Sequence, residues 1–349
     1  MPITAIFAAD SEIEAWFTPE AEIRAMLAFE AALAAATAEA GLIPAAAAAA
    51  IDAACAAFVP DIAALTEGLL RDGVLGPAFV AALRRTVAEP HSRYLHFGAT
   101  SQDVADSALT LRLKPVLALL DARLAALIAA LHEMSAAQGS IKLMAQTRMQ
   151  DALPITVADK LAAWRQPLRR HQDRLIALAP RVLAVQLGGP AGTRAELLGK
   201  GDAVAAGLAQ RLGLYDAPCW HTARDNIVEL GNCMALICGA LGKIGADAAL
   251  LSQTRIADLQ IAGGGKSSAM PHKANPVAAE LLVTLARYTS GLAGILTTAL
   301  VHENERSGAA WTLEWLTLPP LLSAAGAGLS HALNLVRRMR FQANGQMPL

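Results

Sequence analysis

The sequence predicts an all-α fold built from long helices, and three observations lead there. Apolar residues recur at helical spacing along most of the chain. No segment shows the sustained alternation of a half-buried strand, and the β-branched and aromatic residues that strands favour are scarce beside alanine and leucine. Several periodic segments also run well past the ~8–20 residues of ordinary globular helices, which at ~1.5 Å per residue implies a bundle extended over ~40 Å or more.

The first long segment, residues 19–41 (PEAEIRAMLAFEAALAAATAEAG), sets Ile23, Met26, Leu27, Phe29, Ala32 and Leu33 on one stripe and stops at Gly41. A helix follows over 44–58, where the alanine tract 45–50 is a run of strong helix formers and not a disordered repeat. Further helices are expected over 76–88, 101–138, 154–187, 200–212, 225–261, 276–301 and 311–340. Three polar stretches interrupt them: HFGATSQD (96–103), GGPAGTRAE (188–196) and GGGKSSAMPHKANP (263–276). A small N-terminal helical domain is expected over 1–95, and a long-helix bundle with a short C-terminal extension over 96–349.

Of the 349 residues, 54% are hydrophobic and 17% charged, against typical values of ~45–50% and ~25%. Surplus apolar surface of this kind points to burial between subunits. A net charge of −1 without a long basic run argues against a nucleic-acid partner. Residues 281–301 have the length of a membrane span and one charge, Arg287. Thr284, Tyr288, Thr289, Ser290, Thr297 and Thr298 fit a helix buried in a bundle better, so no membrane partner is expected. The N-terminus lacks a basic segment followed by an apolar one, so no secretory signal is visible. Cys55, Cys219, Cys233 and Cys238 lack CxxC spacing and read as reduced, buried thiols of a cytoplasmic protein. The eight histidines include no HxxxH or HExxH pair, so neither a metal nor another cofactor is implied.

The stretch 263–276 is the least core-like part of the chain. Gly263, Gly264 and Gly265 permit backbone geometries closed to other residues, suited to a lid or to a nest of N–H groups around an anion. Ser267 and Ser268 add hydroxyls and Lys273 a fixed positive charge. Asn275 is expected to cap the next helix, with Pro276 in its first position. Thr100 and Asp103 have capping-box spacing, and the same helix start could hold a ligand carboxylate through Thr100 and Ser101.

SSAMPHKANP resembles the GSSxMPxKxNP signature of the fumarase/aspartase superfamily, HFGATSQDVADSA resembles a second shared segment, and TRMQDALPIT (147–156) a third. QLGGPAGT (186–193), WHTARDNIVELGN (220–232) and HENERSGAAWTLEW (302–315) resemble one branch, the bacterial 3-carboxy-cis,cis-muconate cycloisomerases. The resemblance covers about residues 20–340 and implies a fumarase/aspartase-type (L-aspartase-like) bundle, with the C-terminal domain of longer relatives truncated or absent.

It further implies that Ser267 transfers the proton and that Lys273 and Asn275 hold a substrate carboxylate, with Thr100, Ser101 and Ser268 as hydroxyl donors. His96 either polarises substrate or packs, and Gln150 is an amide donor by analogy. The implied substrate is a small tricarboxylate and the implied assembly a homotetramer whose sites are shared between subunits.

Two departures stand out. Arg148 occupies the place of the lyases' histidine, which assists a strongly basic leaving group; in a lactonisation the corresponding group is a carboxylate with a pKa of about 4 that needs no such help. Arg148 can instead pair with substrate, or with Asp151 as a salt bridge. Lys266 replaces a signature glycine. Arg224, His302 and Arg306 are second-rank charges near the site, or solvated surface. The alternatives are a fumarate-releasing lyase of the adenylosuccinate or argininosuccinate type and an inactive helical scaffold.

Overall fold

The computed structural model describes residues 2–266, 268–270 and 273–342. Eleven α-helices are assigned among them: α1 (Ser11–Glu14), α2 (Pro19–Glu39), α3 (Ala45–Ala57), α4 (Ile62–Asp72), α5 (Gly76–Arg84), α6 (Ser101–Gln138), α7 (Val157–Val182), α8 (Gly201–Leu212), α9 (Asp225–Leu251), α10 (Val277–Thr298) and α11 (Gly308–Arg338). The strands are β1 (Lys142–Thr147), β2 (Gln150–Thr156), β3 (Leu259–Ile261), β4 (Gly265–Lys266), β5 (Ala274–Asn275) and β6 (Met339–Phe341). They pair antiparallel as β1–β2, β3–β6 and β4–β5. The fold is mostly helical, as expected, but not purely so.

Several elements depart from those expected. Residues 150–156 are extended in β2, so α7 starts at Val157, where Thr156 caps it by accepting the Asp159 N–H at 3.2 Å. The hairpin turns on Arg148 and Met149, both left-handed with φ of 49° and 65°. Such a turn normally announces itself with Asn-Gly; without that signal the strands were not legible. Helix α9 stops at Leu251, well before the expected 261, and α4 was not expected at all. The Asn275 cap is also corrected. Asn275 belongs to β5, and Pro276 itself stands at the N-cap of α10, its carbonyl accepting from Ala279 and Glu280.

The apolar interior falls into two clusters. One, from α2 to α5, is centred on Phe29, Ile51, Phe79 and Leu83 and takes in Val185, Leu187, Leu197 and α8. The predicted stripe of α2 is buried there except for Leu27, which is half-buried. The other is the bundle of α6, α7, α9, α10 and α11, with Leu120, Leu127, Trp164, Met234 and Leu321 inside. Helices α6 and α9 are long and apolar enough by composition to cross a bilayer, whereas the segment 281–301 weighed from sequence is not among those found. In this fold α9 is packed between α7, α10 and α11.

Bundle geometry separates the polar segments. Helix α6 runs from Thr100, its N-cap, to Gln138. The β1–β2 hairpin follows at its far end. There Gln138 accepts the Phe341 N–H at 2.8 Å, and β6 pairs with β3, so β3 lies at that end too.

Candidate active site

At the N-terminal end of α6, four of the polar segments converge on a buried network. Its centre is Asp103, fully buried. Its Oδ2 accepts the Thr100 N–H at 2.9 Å, which supplies one half of the expected capping box. The same carboxylate accepts the N–H groups of Gly188 at 2.7 Å and Gly189 at 2.9 Å, and His221 Nε2 donates to it at 2.8 Å. One side chain therefore ties the 96–103 segment to 186–193 and 220–232. Gln102 adds the fourth segment, since its amide donates to the His221 carbonyl at 2.8 Å while its Oε1 accepts from Arg306 Nε at 2.9 Å.

A turn further along α6, Asp106 receives the Arg224 guanidinium at 2.7 Å and the Trp311 indole N–H at 3.1 Å. Arg224 also donates to Glu314 Oε1 at 2.9 Å and lies over the Trp220 ring, 4.6 Å from its centroid. Arg224 is 1% exposed, which removes the reading of this residue as solvated surface. Two carboxylates hold its charge well above the ordinary guanidinium range in spite of the burial. Glu314 is raised, because burial outweighs its bonds to Arg224. The His302 side chain is likewise buried, 3.5 Å from Glu314, and neither ring nitrogen has a hydrogen-bond partner among the described residues. Arg306 is exposed but anchored to Gln102 and, at 3.3 Å, to the Pro190 carbonyl.

Thr100 and Ser101 are half-buried at this end. Ser101 packs closely on the start of α5, for a Cβ on Gly76 would stand 2.6 Å from its Oγ. His96, with φ of 63°, turns its Nδ1 to the buried Glu30 of α2 at 2.5 Å. Burial disfavours the charged ring, but the Glu30 carboxylate outweighs it and His96 is raised.

The other candidates lie elsewhere. Arg148 and Gln150 are exposed on the hairpin, and Asp151 takes its hydrogen bond from Gln146; no Arg148–Asp151 ion pair is present among the described residues. Lys266, Ser268 and Lys273 are exposed around the β4–β5 ladder, and Asn275 is half-buried. Ser267 lies outside the described residues. Within one chain, Thr100 and Arg148 are separated by all 38 residues of α6, about 55 Å at 1.5 Å per residue. No single chain gathers the three motif segments.

Sequence reasoning missed Asp106, Gln186, His221 and Glu314, and treated Asp103 as a cap alone. A signal was present: Gln102, Asp103, Asp106, Ser107 and Thr110 stand within three turns near the start of a largely apolar helix, and polar residues placed so are either solvated or, as most are here, bonded to other segments.

A long-helix bundle with a glycine-rich serine loop defines a helical lyase-type enzyme fold. The comparisons agree. The Lyase family matches residues 2–291, and the chain belongs to this fumarase/aspartase family. It is 41% identical to the 3-carboxy-cis,cis-muconate cycloisomerase of Pseudomonas aeruginosa, over 95% of this chain and 74% of that protein. The crystal structure of the 3-carboxy-cis,cis-muconate lactonizing enzyme from Pseudomonas putida superimposes with a TM-score of 0.90 at 37% identity, covering 98% of this chain and 77% of that one. Relatives with other chemistry are also near: nitrosuccinate lyase of Streptomyces davaonensis is 35% identical over 96% of this chain and 74% of its own length.

Proposed function

We propose that the protein is a cytoplasmic cycloisomerase that closes 3-carboxy-cis,cis-muconate to 4-carboxymuconolactone, in the protocatechuate branch of the β-ketoadipate pathway. The observation that carries this reading is the 41% identity to a cycloisomerase across 95% of the chain, and Arg148 at the hairpin turn, where a lyase has histidine, supports it. One substrate carboxylate attacks the conjugated alkene intramolecularly, and negative charge gathers on a neighbouring carboxylate as an aci-acid. Ser267 then delivers a proton to carbon. A serine hydroxyl is a weak acid, so the alkoxide it leaves needs stabilisation from loop N–H groups and Lys273. Lys273, Asn275 and Arg148 are the cationic and amide partners for a substrate with three carboxylates, and Thr100 and Ser101 offer donors at a helix N-terminus. Substrate supplies both nucleophile and electron sink, so the reaction asks for no cofactor.

The separation of Thr100 from Arg148 supports a homotetramer in which each site draws its three segments from three subunits. Loss of the conjugated diene absorbance on adding 3-carboxy-cis,cis-muconate tests the activity. Release of fumarate from adenylosuccinate or argininosuccinate, with no diene loss, would instead assign the lyase reading. Assembly is tested by mixing. Ser267→Ala and Arg148→Ala proteins, unfolded together and reassembled, should regain roughly a quarter of wild-type activity when the two residues come from different chains. No recovery in proven mixed tetramers would reject the shared site.

A further inference from the structure

Three of the four thiols are inert by placement. Burial pushes Cys55 and Cys238 up to about 12 and Cys233 up to about 11. Cys219 differs. It is half-exposed, correcting the expectation that all four are buried, and it lines an open cleft of about 440 Å³ with Arg194, Asp202 and Asp216.

Behind it stands His221, 3% exposed. Nε2 of this ring bonds Asp103 at 2.8 Å, and because a carboxylate only accepts, Nε2 carries the hydrogen. The other nitrogen, Nδ1, is buried with no conventional hydrogen-bond partner among the described residues. It and the Cys219 sulfur border the same glycines: a Cβ built on Gly192 would stand 3.4 Å from Sγ and 3.8 Å from Nδ1, and one on Gly188 2.4 Å from Sγ and 2.8 Å from the ring's Cε1. Burial opposes a charged ring here, yet Asp103 and Cys219 outweigh it and His221 is pushed up to about 9. The order carboxylate, imidazole, thiol is the arrangement that activates a nucleophilic sulfur.

The geometry points to Cys219 as a peroxide-reactive thiol, activated by His221 and Asp103, whose oxidation loosens the network at the start of α6. The thiol proton passes to His221 Nδ1, leaving a thiolate–imidazolium pair beside Asp103. The thiolate attacks the distal oxygen of a hydroperoxide, the O–O bond breaks, and the departing alkoxide or hydroxide takes the Nδ1 proton. The products are a sulfenic acid and an alcohol or water, with two electrons moved from sulfur to the peroxide.

Space at the sulfur selects a small oxidant, since a Cβ on Gly188 would already lie 2.4 Å from Sγ. An added oxygen therefore presses on the loop whose Gly188 and Gly189 N–H groups bond Asp103, and through Asp103 on the Thr100 N–H. The charged groups around the pair are Asp103 on α6, Arg194 bonded to Asp202 on α8, and Asp216. This inference does not depend on the identity of the substrate.

Full-length protein treated with hydrogen peroxide and dimedone should carry a single adduct, on Cys219, by peptide mass spectrometry. The rate constant at pH 7 should be at least about tenfold that of a free cysteine. Cys219→Ser should abolish labelling and His221→Gln should slow it about tenfold. Labelling no faster than that of a free cysteine, or unchanged in His221→Gln, would overturn the proposal. If His221→Gln does not fold, the rate of iodoacetamide alkylation at Cys219 in the wild type, set against free cysteine at pH 7, decides alone.

Discussion

The two ends of the bundle differ in how much a single chain completes. At the start of α6 the charges are paired inside one polypeptide: Asp103 and Asp106 accept from seven residues between them, and Arg224 is enclosed by two carboxylates and an indole. At the far end Arg148, Gln150, Lys266, Ser268 and Lys273 all face outward. Burying a charge is costly unless it is paired, so the first end must be finished within the fold, whereas exposed charges can wait for a partner or ligand. The closed end completes its charge pairing within one chain, and the open end does not.

The largest effect should fall on the closed end. Arg224→Met leaves Asp106 and Glu314 buried without their cation, and we expect a loss of about 3–5 kcal/mol in denaturant unfolding. A loss below about 1 kcal/mol would break the contrast between the ends.

The closed end should also carry a pH dependence. His221 is raised in the fold to about 9, from an unfolded value near 6.5. Its contribution is thus fully present below pH ~6.5 and is lost as pH rises through about 9, amounting to at most ~3 kcal/mol. The denaturation midpoint should fall across that window, and the fall should be smaller in His221→Gln.

The open end should respond in activity and not in stability. Ser267→Ala should lower turnover by at least ~100-fold with an unchanged unfolding midpoint. Near-normal turnover would return the proton transfer to another group.

Arg148→Met should act least, raising KM about tenfold with turnover nearly kept, the signature of lost substrate binding. Its unfolding curve should match wild type, because Arg148 has no ion pair among the described residues. Unchanged kinetics would make the hairpin turn structural only.

Much of this was legible beforehand. Helix α6 was placed at residues 101–138 as observed, because a long apolar period ended by Gly139 leaves few alternatives. The α2 stripe, the three polar interruptions and the family resemblance of 263–276 were equally local. The hairpin was not, since Arg148 and Met149 adopt left-handed geometry without the residues that usually signal it. Arg224 stayed open between a charge near the site and solvated surface because sequence spacing gives its neighbours along the chain, not Asp106 and Glu314, which lie 118 and 90 positions away.

Composition and period, then, determined the helices, their lengths and the segments that interrupt them, since each of these depends on residues within a few turns of one another. Tertiary structure alone decided that Asp103 is a hub for three loops and that His221 lies beside both a carboxylate and Cys219. Those relations depend on which surfaces pack together, and packing is set by the summed burial of a whole bundle, which no local stretch of the chain encodes.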